Sequence, residues 1–357
     1  MKKHSSVEAQ TYTIGIDVSD RSSCYCVLDH AGEVSAEGKL RSTPAAYRQH
    51  FAGMAPARIA LEAGTHSRWM SALLRECGHE VIVANPRRLR LLTESDKKND
   101  PQDARTLAEM AWAKPGLLAP VQHRSAQAQA DLNLVRARDL LVAARSKLIN
   151  GVRALVKGMG ARVPPCGSSQ FSQRANEYMP EAVRAAAAPL LEVVDELSEQ
   201  IRYYDETLAH VAQQRYPHTA LLTQVCGVGT LSALAYVLTI ENPRRFERSR
   251  DVGCWLGLRP KQQDSGERSP QLRITKAGDG YLRRMMVSCA HYLLGPFGPD
   301  TDLRRWGLKL CERGGKNAKK RAVVAVARKL AVLLHRLWIT GEVYEPLRNQ
   351  ALVTAAA

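Results

Sequence analysis

Four carboxylates occupy positions in the sequence where an acidic side chain could do chemistry. Asp17 lies within an apolar run that predicts a buried strand, and a charge in such surroundings is costly unless it is paired or binds a metal. Glu62 ends a later apolar run. Asp100 and Asp103 stand three residues apart where a helix is predicted to begin, so both would face its first turn.

An acidic cluster of this kind suits the cleavage of phosphodiester bonds. Cutting such a bond requires an activated nucleophile and relief of the charge that develops on the leaving oxygen. Two Mg²⁺ ions about 4 Å apart can supply both, and hard cations take carboxylate oxygens as ligands. We therefore predict that the four carboxylates bind Mg²⁺, for which Mn²⁺ could substitute. The alternative is that Asp100 and Asp103 only cap a helix and that Glu62 only ends a strand at the surface.

The predicted elements of residues 1–113 could bring these side chains together. Short strands are predicted near residues 12–18, 24–28, 33–40, 58–62 and 81–84, with helices after the third, fourth and fifth. This order is typical of a ribonuclease-H-like α/β fold with an antiparallel edge. In such a sheet the first strand is central, so Asp17 would lie beside the end of the fourth strand.

Residues 114–216 predict long helices with coiled-coil character. Leucines recur every seven residues from 134 to 155, and a second apolar seam from 190 to 211 alternates spacings of four and three. Residues 158–180 are rich in Gly, Pro and Ser and predict a loop. The two helices could pair with each other or with another subunit. Our hypothesis is that the second seam joins subunits.

Residues 217–357 carry most of the positive charge, +12 of the formal +16, and predict a mainly helical basic domain. An excess of this size indicates a polyanionic partner, because basic side chains release counterions from phosphates. Eight cysteines without a Cys-x-x-Cys pair, and histidines without zinc spacing, fit a reducing cytoplasm. No signal peptide or apolar stretch long enough to span a membrane occurs, so we expect a cytoplasmic protein.

Several motifs resemble one known family. They are Ile14-Gly15-Ile16-Asp17-Val18-Ser19, Leu61-Glu62-Ala63-Gly64-Thr65, Lys98-Asn99-Asp100-Pro101-Gln102-Asp103-Ala104, Trp255-Leu256-Gly257-Leu258-Arg259-Pro260, Asp264-Ser265-Gly266 and Ile274-Thr275-Lys276-Ala277-Gly278-Asp279. In this order they closely resemble the DEDD transposases of bacterial insertion sequences, the IS110 family, which also contains the Piv-type DNA invertases. The resemblance covers both ends of the chain, with the helical middle between them.

The resemblance implies a catalytic apparatus in two parts. The first domain would be RuvC-like, with Asp17, Glu62, Asp100 and Asp103 as its four acidic residues. The second would carry a serine that attacks DNA and forms a covalent phosphoserine, and its position in the block maps to Ser265. Another serine often precedes the nucleophile in the family, whereas here Asp264 does, so Ser269 and Thr275 are the fallback candidates. Without the resemblance, Asp264-Ser265-Gly266 predicts only a turn.

The resemblance also implies partners. Family members use a structured RNA from the element's end to pair with target and donor DNA, and they assemble as dimers and tetramers. Basic side chains near Ser265 and further along the chain could hold phosphates. These are Arg259, Lys261, Arg268, Arg273, Lys276, Arg283, Arg284, Lys319 and Lys320.

We therefore predict a metal-dependent DNA transposase with three domains. Residues 1–113 form the RuvC-like catalytic domain, residues 114–216 a helical coiled-coil and oligomerisation region, and residues 217–357 the basic transposase domain. Two alternatives remain open at this point. One is a RuvC-like nuclease that cuts without rejoining, and the other is a DNA-binding structural or regulatory protein without metal-dependent activity.

Overall fold

The computed structural model describes residues 12–87, 99–270 and 272–349, which form parts of two compact units. The first unit comprises residues 1–123 and the second residues 124–357. The long helices of the middle region pack with C-terminal helices in the second unit, and the division into three domains stays a prediction. Lys98 and the N-terminal residues that bear on a signal peptide lie outside the described residues. Within those ranges, no helix is long and apolar enough to cross a membrane.

The first unit contains a mixed five-stranded sheet in the order β3-β2-β1-β4-β5. Its strands are β1 (Thr13–Asp17), β2 (Ser22–Leu28), β3 (Val34–Arg41), β4 (Arg58–Glu62) and β5 (Glu80–Ala84). The β1–β2 and β2–β3 pairs are antiparallel, whereas the β1–β4 and β4–β5 pairs are parallel. The expected α/β fold with an antiparallel edge and a central first strand is confirmed.

Helices cover both faces of this sheet. They are α1 (Pro44–Phe51), α2 (Ser67–Glu76) and α3 (Asp100–Ala113). Ile14 and Ile16 of β1 share a buried cluster with residues of α1 and α2. Since side chains alternate along a strand, Gly15 faces α3. A Cβ atom on Gly15 would lie 2.0 Å from the carbonyl oxygen of Ala104, so only glycine allows α3 to lie this close to the sheet.

The second unit begins with two long helices that pack against each other, α4 (Ala126–Gly158) and α6 (Glu181–Arg215). The predicted loop between them contains a further helix, α5 (Phe171–Tyr178). Val194, Ile201 and Leu208 of the second apolar seam are at most 4% exposed in the single chain. The structure therefore does not support our hypothesis that this seam joins subunits, because the chain itself already buries those residues.

One buried carboxylate joins the start of α4 to the end of α6. Asp131 of α4 is 1% exposed and accepts hydrogen bonds from Arg215 Nη1 at 2.6 Å and from the Tyr216 hydroxyl at 2.9 Å. Gln127 Nε2 donates to the same carboxylate. Since a buried charge is stable only when it is paired and hydrogen-bonded, this network determines how the end of α6 meets the start of α4.

Six further α-helices complete the described part of this unit. They are α7 (Thr219–Thr223), α8 (Thr230–Ile240), α9 (Asp251–Trp255), α10 (Gly280–Leu294), α11 (Asp302–Glu312) and α12 (Ala318–Thr340). Helix α8 is apolar around its circumference, and all residues from 233 to 240 are buried. It contacts α4 and α6 on one side and α10 on another, which places it at the centre of the unit.

A β-hairpin-like segment, described for residues 258–270 and 272–276, connects α9 to α10. Its two arms are joined near the base by Lys261 N–H to Arg273 O and by Thr275 N–H to Arg259 O, both at 2.9 Å. Gly257 and Gly278 flank it with φ angles of 69° and 71°. A Cβ atom on either glycine would lie 2.1 Å from backbone atoms of the opposite segment, so the closed base requires glycine at both positions.

Candidate active site

Asp17 and Glu62 end two neighbouring parallel strands. In the β1–β4 pair Ile16 lies opposite Leu61, so the two carboxylates follow at the same edge of the sheet. Ala60 belongs to a buried cluster with residues of α3, and Gly15 approaches the backbone of the same helix. By strand alternation, Asp17 and Glu62 also face the α3 side.

The other two predicted carboxylates lie at the beginning of α3. Asp100 is its first residue, and both Asp100 and Asp103 lie in its first turn. The residue that precedes the helix is Asn99, and no side chain makes a capping hydrogen bond there. The alternative that the two aspartates serve only as caps therefore has no supporting contact. Acidic residues at a helix N-terminus are stabilised by its free N–H groups and dipole.

The buried thiol of Cys24 indicates that the two groups of carboxylates converge. Cys24 of β2 lies opposite Asp17 in the β1–β2 pair. Burial raises the pKa of this thiol most strongly, while Lys39 lowers it and the charges of Asp100 and Asp17 both raise it further. Because a side chain of β1 and one of α3 act on the same thiol, the beginning of α3 lies at the Asp17 end of the sheet.

These donors suit a hard divalent cation, since carboxylate oxygens are the ligands that Mg²⁺ prefers in proteins. Asp100 is exposed, whereas Asp17, Glu62 and Asp103 are half-buried, so the group can be reached by ions and substrate. Within the part of the chain that the structure describes, no three His, Cys, Asp or Glu side chains are close enough to hold one ion together. Joint coordination by the four carboxylates therefore stays a prediction.

A histidine that the sequence did not single out flanks this edge. His66, which precedes α2, lies with Nε2 3.0 Å from Asp20 Oδ1, and Trp69 Nε1 donates to its Nδ1 at 3.1 Å. An indole N–H can only donate, so Nδ1 accepts and Nε2 carries the proton of a neutral imidazole. This pair links the turn after β1 to the start of α2. Its partners are 46 residues apart, and no short-range motif would reveal them.

Ser265 lies at the tip of the hairpin-like segment. Its backbone exchanges two hydrogen bonds of 3.1 Å with Arg268, and Gly266 has a φ of 54°. Ser265 is exposed, and its hydroxyl forms no hydrogen bond with any described residue. The predicted turn is therefore present, and it leaves the hydroxyl accessible to a substrate.

The two fallback candidates have different surroundings. Ser269 is exposed near the same tip. Thr275 is half-buried at the base of the segment, where its Oγ1 lies 3.5 Å from the N–H of Ala277. Only Ser265 and Ser269 are thus presented at the tip, and the structure does not distinguish between them chemically.

The predicted phosphate-binding side chains fall into two groups. Those on the hairpin-like segment and at the start of α12 are exposed: Arg259, Lys261, Arg268, Arg273, Lys276, Lys319 and Lys320. The two on α10 already have protein partners. Arg283 Nη1 donates to the carbonyls of Leu256 and Ala277, which ties the base of the hairpin-like segment to α10. Arg284 Nη2 donates to Asp139 at 2.8 Å.

Two family models match this chain. Residues 14–160, which contain all four carboxylates, match a sequence model described as a DEDD transposase of the IS110 type. Residues 219–301, which contain Ser265, match a model described as transposase of the IS116/IS110/IS902 family. The α/β sheet with its acidic edge and the helical unit with its exposed serine thus belong to the class of transposases.

Individual relatives extend the similarity over most of the chain. A Sinorhizobium fredii protein named as a transposase is 32% identical over 83% of this chain and 76% of its own length. A Pseudomonas aeruginosa protein named as a family 20 transposase is 28% identical over 93% and 98%. The transposase for insertion sequence element IS1111A of Coxiella burnetii is 28% identical over 93% and 90%. The chain belongs to the IS110 family of insertion-sequence transposases, and it is a DNA transposase.

Proposed function

We propose that this transposase cuts and rejoins DNA strands at the ends of its insertion sequence with Ser265 as the nucleophile, and that its carboxylates bind Mg²⁺. The observation that carries the metal site is the close approach of α3 to β1 at Gly15, where a Cβ atom would lie 2.0 Å from the carbonyl oxygen of Ala104. It brings acids from a central strand and from a helix start to one edge of the sheet. This also supports a RuvC-like identity for the first unit, as does the strand order with β1 at the centre.

The carboxylates would act by holding the cation. Asp17 and Glu62 would contribute oxygens from the sheet edge, and Asp100 and Asp103 from the first turn of α3. When bound, Mg²⁺ would supply relief of the charge on the phosphate. The half-buried setting of three of the four side chains limits competing hydration by bulk water, which strengthens electrostatic interactions there.

Ser265 would carry the strand between cutting and rejoining. Its hydroxyl loses a proton as the Oγ–P bond forms, and the bond from phosphorus to the leaving deoxyribose oxygen breaks. That oxygen departs as a hydroxyl after it takes up a proton. A hydroxyl from another strand then reverses the step, so the number of phosphodiester bonds is conserved and no external energy source is needed. Arg268 and Lys261, both exposed on the same segment, would stabilise the negative charge on the phosphate oxygens.

The proposed partners follow from the family and from the charge. Donor and target DNA would bind to the basic C-terminal region, and a structured RNA encoded by the element would select them by base pairing. Recombination joins two duplexes, so more than one active site is needed. We therefore propose a homodimer or homotetramer, whose contacts would use surfaces other than the buried seam of α6.

The test is a search for a covalent protein–DNA species. The full chain is expressed together with the flanking non-coding ends of its element, mixed with DNA that contains those ends and Mg²⁺, and then denatured. We expect an adduct whose modified peptide contains Ser265. Ser265→Ala should abolish it, whereas Ser269→Ala, an exposed serine at the same tip, should retain it. Asp17→Asn should prevent the adduct while DNA binding persists.

The other outcomes of this experiment contradict parts of the proposal. Attachment at Ser269 or Thr275 would refute the assignment of Ser265 and leave the recombinase reading intact. Clean cutting without an adduct would indicate a nuclease. An adduct that forms normally in Asp17→Asn, or in the presence of a chelator, would refute the metal site.

A further inference from the structure

A groove of about 1130 Å³ lies in the second unit, between the base of the hairpin-like segment and helices α11 and α12. Pro260, Arg273 and Ile274 line it from the segment, Trp306 and Leu310 from α11, and Lys320 from α12. The predicted phosphate-binding residues Arg273, Lys276 and Lys320 line this groove, whereas Lys319 does not. None of the catalytic assignments above uses it.

The charge of the groove is of one sign. Eight of its twenty lining residues are Lys or Arg, and none is Asp or Glu. Six of the eight form no ion pair with any residue in the described ranges, namely Arg250, Arg273, Arg313, Lys320, Arg328 and Lys329. Cations that lie close together without counter-charges repel one another and destabilise the fold. A polyanionic ligand in the groove would reduce this repulsion.

The other lining residues are apolar except for Asn317. They include Leu258, Leu310, Val324 and Val332, together with the half-buried indole of Trp306. The ammonium of Lys329 lies 4.1 Å from the centre of that indole ring. A duplex offers only phosphates and sugars along its backbone, because its bases are stacked inside. A lining that combines apolar and cationic side chains suits bases that are unpaired.

We propose that this groove binds an unpaired strand of nucleic acid, with phosphates held by its Lys and Arg side chains and bases against its apolar side chains. Its volume slightly exceeds the upper range of small-molecule pockets, about 1000 Å³, which is enough for a few nucleotides. The inference deepens the proposed function, since strand exchange must hold strands that have separated from their partners. The same hairpin-like segment carries Ser265 at its tip, so a strand in the groove would share its support with the proposed nucleophile.

The test compares binding of single strands and duplex by the full chain. Fluorescence anisotropy is measured over a range of salt concentrations with labelled oligothymidylate and oligouridylate of about twelve nucleotides, and with a duplex. The double variant Lys320→Ala/Lys329→Ala removes two groove cations. The matched control, Lys147→Ala/Lys309→Ala, removes two lysines that do not line the groove. Thermal unfolding checks that all proteins are folded. If the double variant does not fold, the single variant Lys320→Ala is measured in its place.

The expected result follows from counterion release. Each lost phosphate contact lowers the salt slope for a single strand by about 0.7, so the groove variant should lose about 1.4. At 0.1 M salt this corresponds to binding that is about 25-fold weaker. The control should change by less than about 2-fold, and the duplex should lose clearly less affinity than the single strands. Comparing the loss of affinity for oligothymidylate with that for oligouridylate would show whether the groove prefers DNA or RNA, and either preference supports the proposal.

A second measurement locates the strand. Photocrosslinking with an oligonucleotide that contains 5-bromouracil, followed by mass spectrometry, should label the peptide that carries Trp306 and Leu310. An unchanged salt slope in the groove variant, equal losses in the control or on duplex, or crosslinks outside the groove would overturn the proposal. The covalent-adduct assay separates the two inferences. If the adduct forms but the groove variant binds single strands normally, only the groove proposal is refuted. If the groove variant loses single-strand binding but no adduct forms, only the proposed chemistry is refuted.

Discussion

A single methyl group at Gly15 should separate the two halves of the candidate metal site. In Gly15→Ala the new Cβ would lie 2.0 Å from Ala104 O and 2.4 Å from Ala108 N, both backbone atoms of α3. Ordinary contacts of this type are about 3.4 Å or longer, so α3 must move from β1 by about 1 Å or more. The movement carries Asp100 and Asp103 with it, because both belong to the first turn of that helix.

The magnitude follows from how closely catalytic groups must be placed. A displacement of about 1 Å typically costs on the order of 100-fold in rate. Overpacking a core by one methyl group costs about 1–3 kcal/mol of stability. We therefore expect Gly15→Ala to remain folded, to lose about 1–3 kcal/mol in the free energy of unfolding, and to form the covalent adduct at least about 100-fold more slowly.

Adduct formation would be followed over time on denaturing gels, and stability by urea denaturation. The control is Gly53→Ala in the same unit, where a Cβ would meet nothing within 4 Å. It should match the parent protein in both measurements. A Gly15→Ala variant with the stability and adduct rate of the control would show that α3 does not position the acidic site as described.

Three further predictions concern stability and the hairpin-like segment. Tyr47 is buried, and burial raises its pKa to about 12, so its contribution to stability should be full below about pH 10 and be lost as pH rises towards 12. Urea denaturation measured across this pH range should show a smaller loss of stability for Tyr47→Phe, and an unchanged profile would contradict the raised pKa. Asp131→Ala should lower the free energy of unfolding by about 2–4 kcal/mol, because it removes the partner of Arg215 and Tyr216. The control Asp205→Ala breaks a more exposed pair with Arg138 and should lower it by less than about 1 kcal/mol, and equal losses in the two variants would argue against the anchoring role of Asp131. In Gly257→Ala the new Cβ would lie 2.1 Å from Ala277 N, so the base of the segment should open. Adduct formation should then be abolished while DNA binding, measured by filter retention, persists, and normal adduct formation would refute this role of Gly257.

The α/β part of the fold could be predicted because its signals are local. The apolar runs of β1, β2, β4 and β5 are short and bounded by turns, and the positions of Asp17 and Glu62 at strand ends follow from them. The order of the sheet follows from the sequence of strands and helices. What the sequence does not reveal is that α3 approaches so closely at Gly15, since this depends on two backbones that are far apart in the chain.

The helical middle shows why periodicity alone is insufficient. Of the leucines spaced by seven residues, Leu134 and Leu148 are half-buried, but Leu155 is 42% exposed. A repeat of seven drifts by about 20° per heptad on a straight helix, so three heptads turn Leu155 outward by about 60°. Val152 and Val156 occupy the buried positions instead. The helix α5 was also missed, because the Gly, Pro and Ser around it predict a loop.

The candidate site was predictable in its residue types and less so in its contacts. Asp17 stood out because of its apolar neighbours, and Ser265 through the family resemblance. Arg283 was predicted to bind phosphate, but its guanidinium donates to two backbone carbonyls, which no side-chain pattern records. The pair formed by His66 and Asp20 depends on the fold in the same way.

The glycine-clamped base of the hairpin-like segment has a consequence for how this transposase can change. Gly257 and Gly278 fix the two ends of the segment against the helical unit, whereas all residues from 259 to 270 are exposed. Insertions and deletions are tolerated best at exposed tips whose anchoring backbone stays in place. The length of the segment can therefore vary without disturbing the helical core. The reach of the proposed nucleophile is in this way adjustable separately from the stability of the unit that carries it.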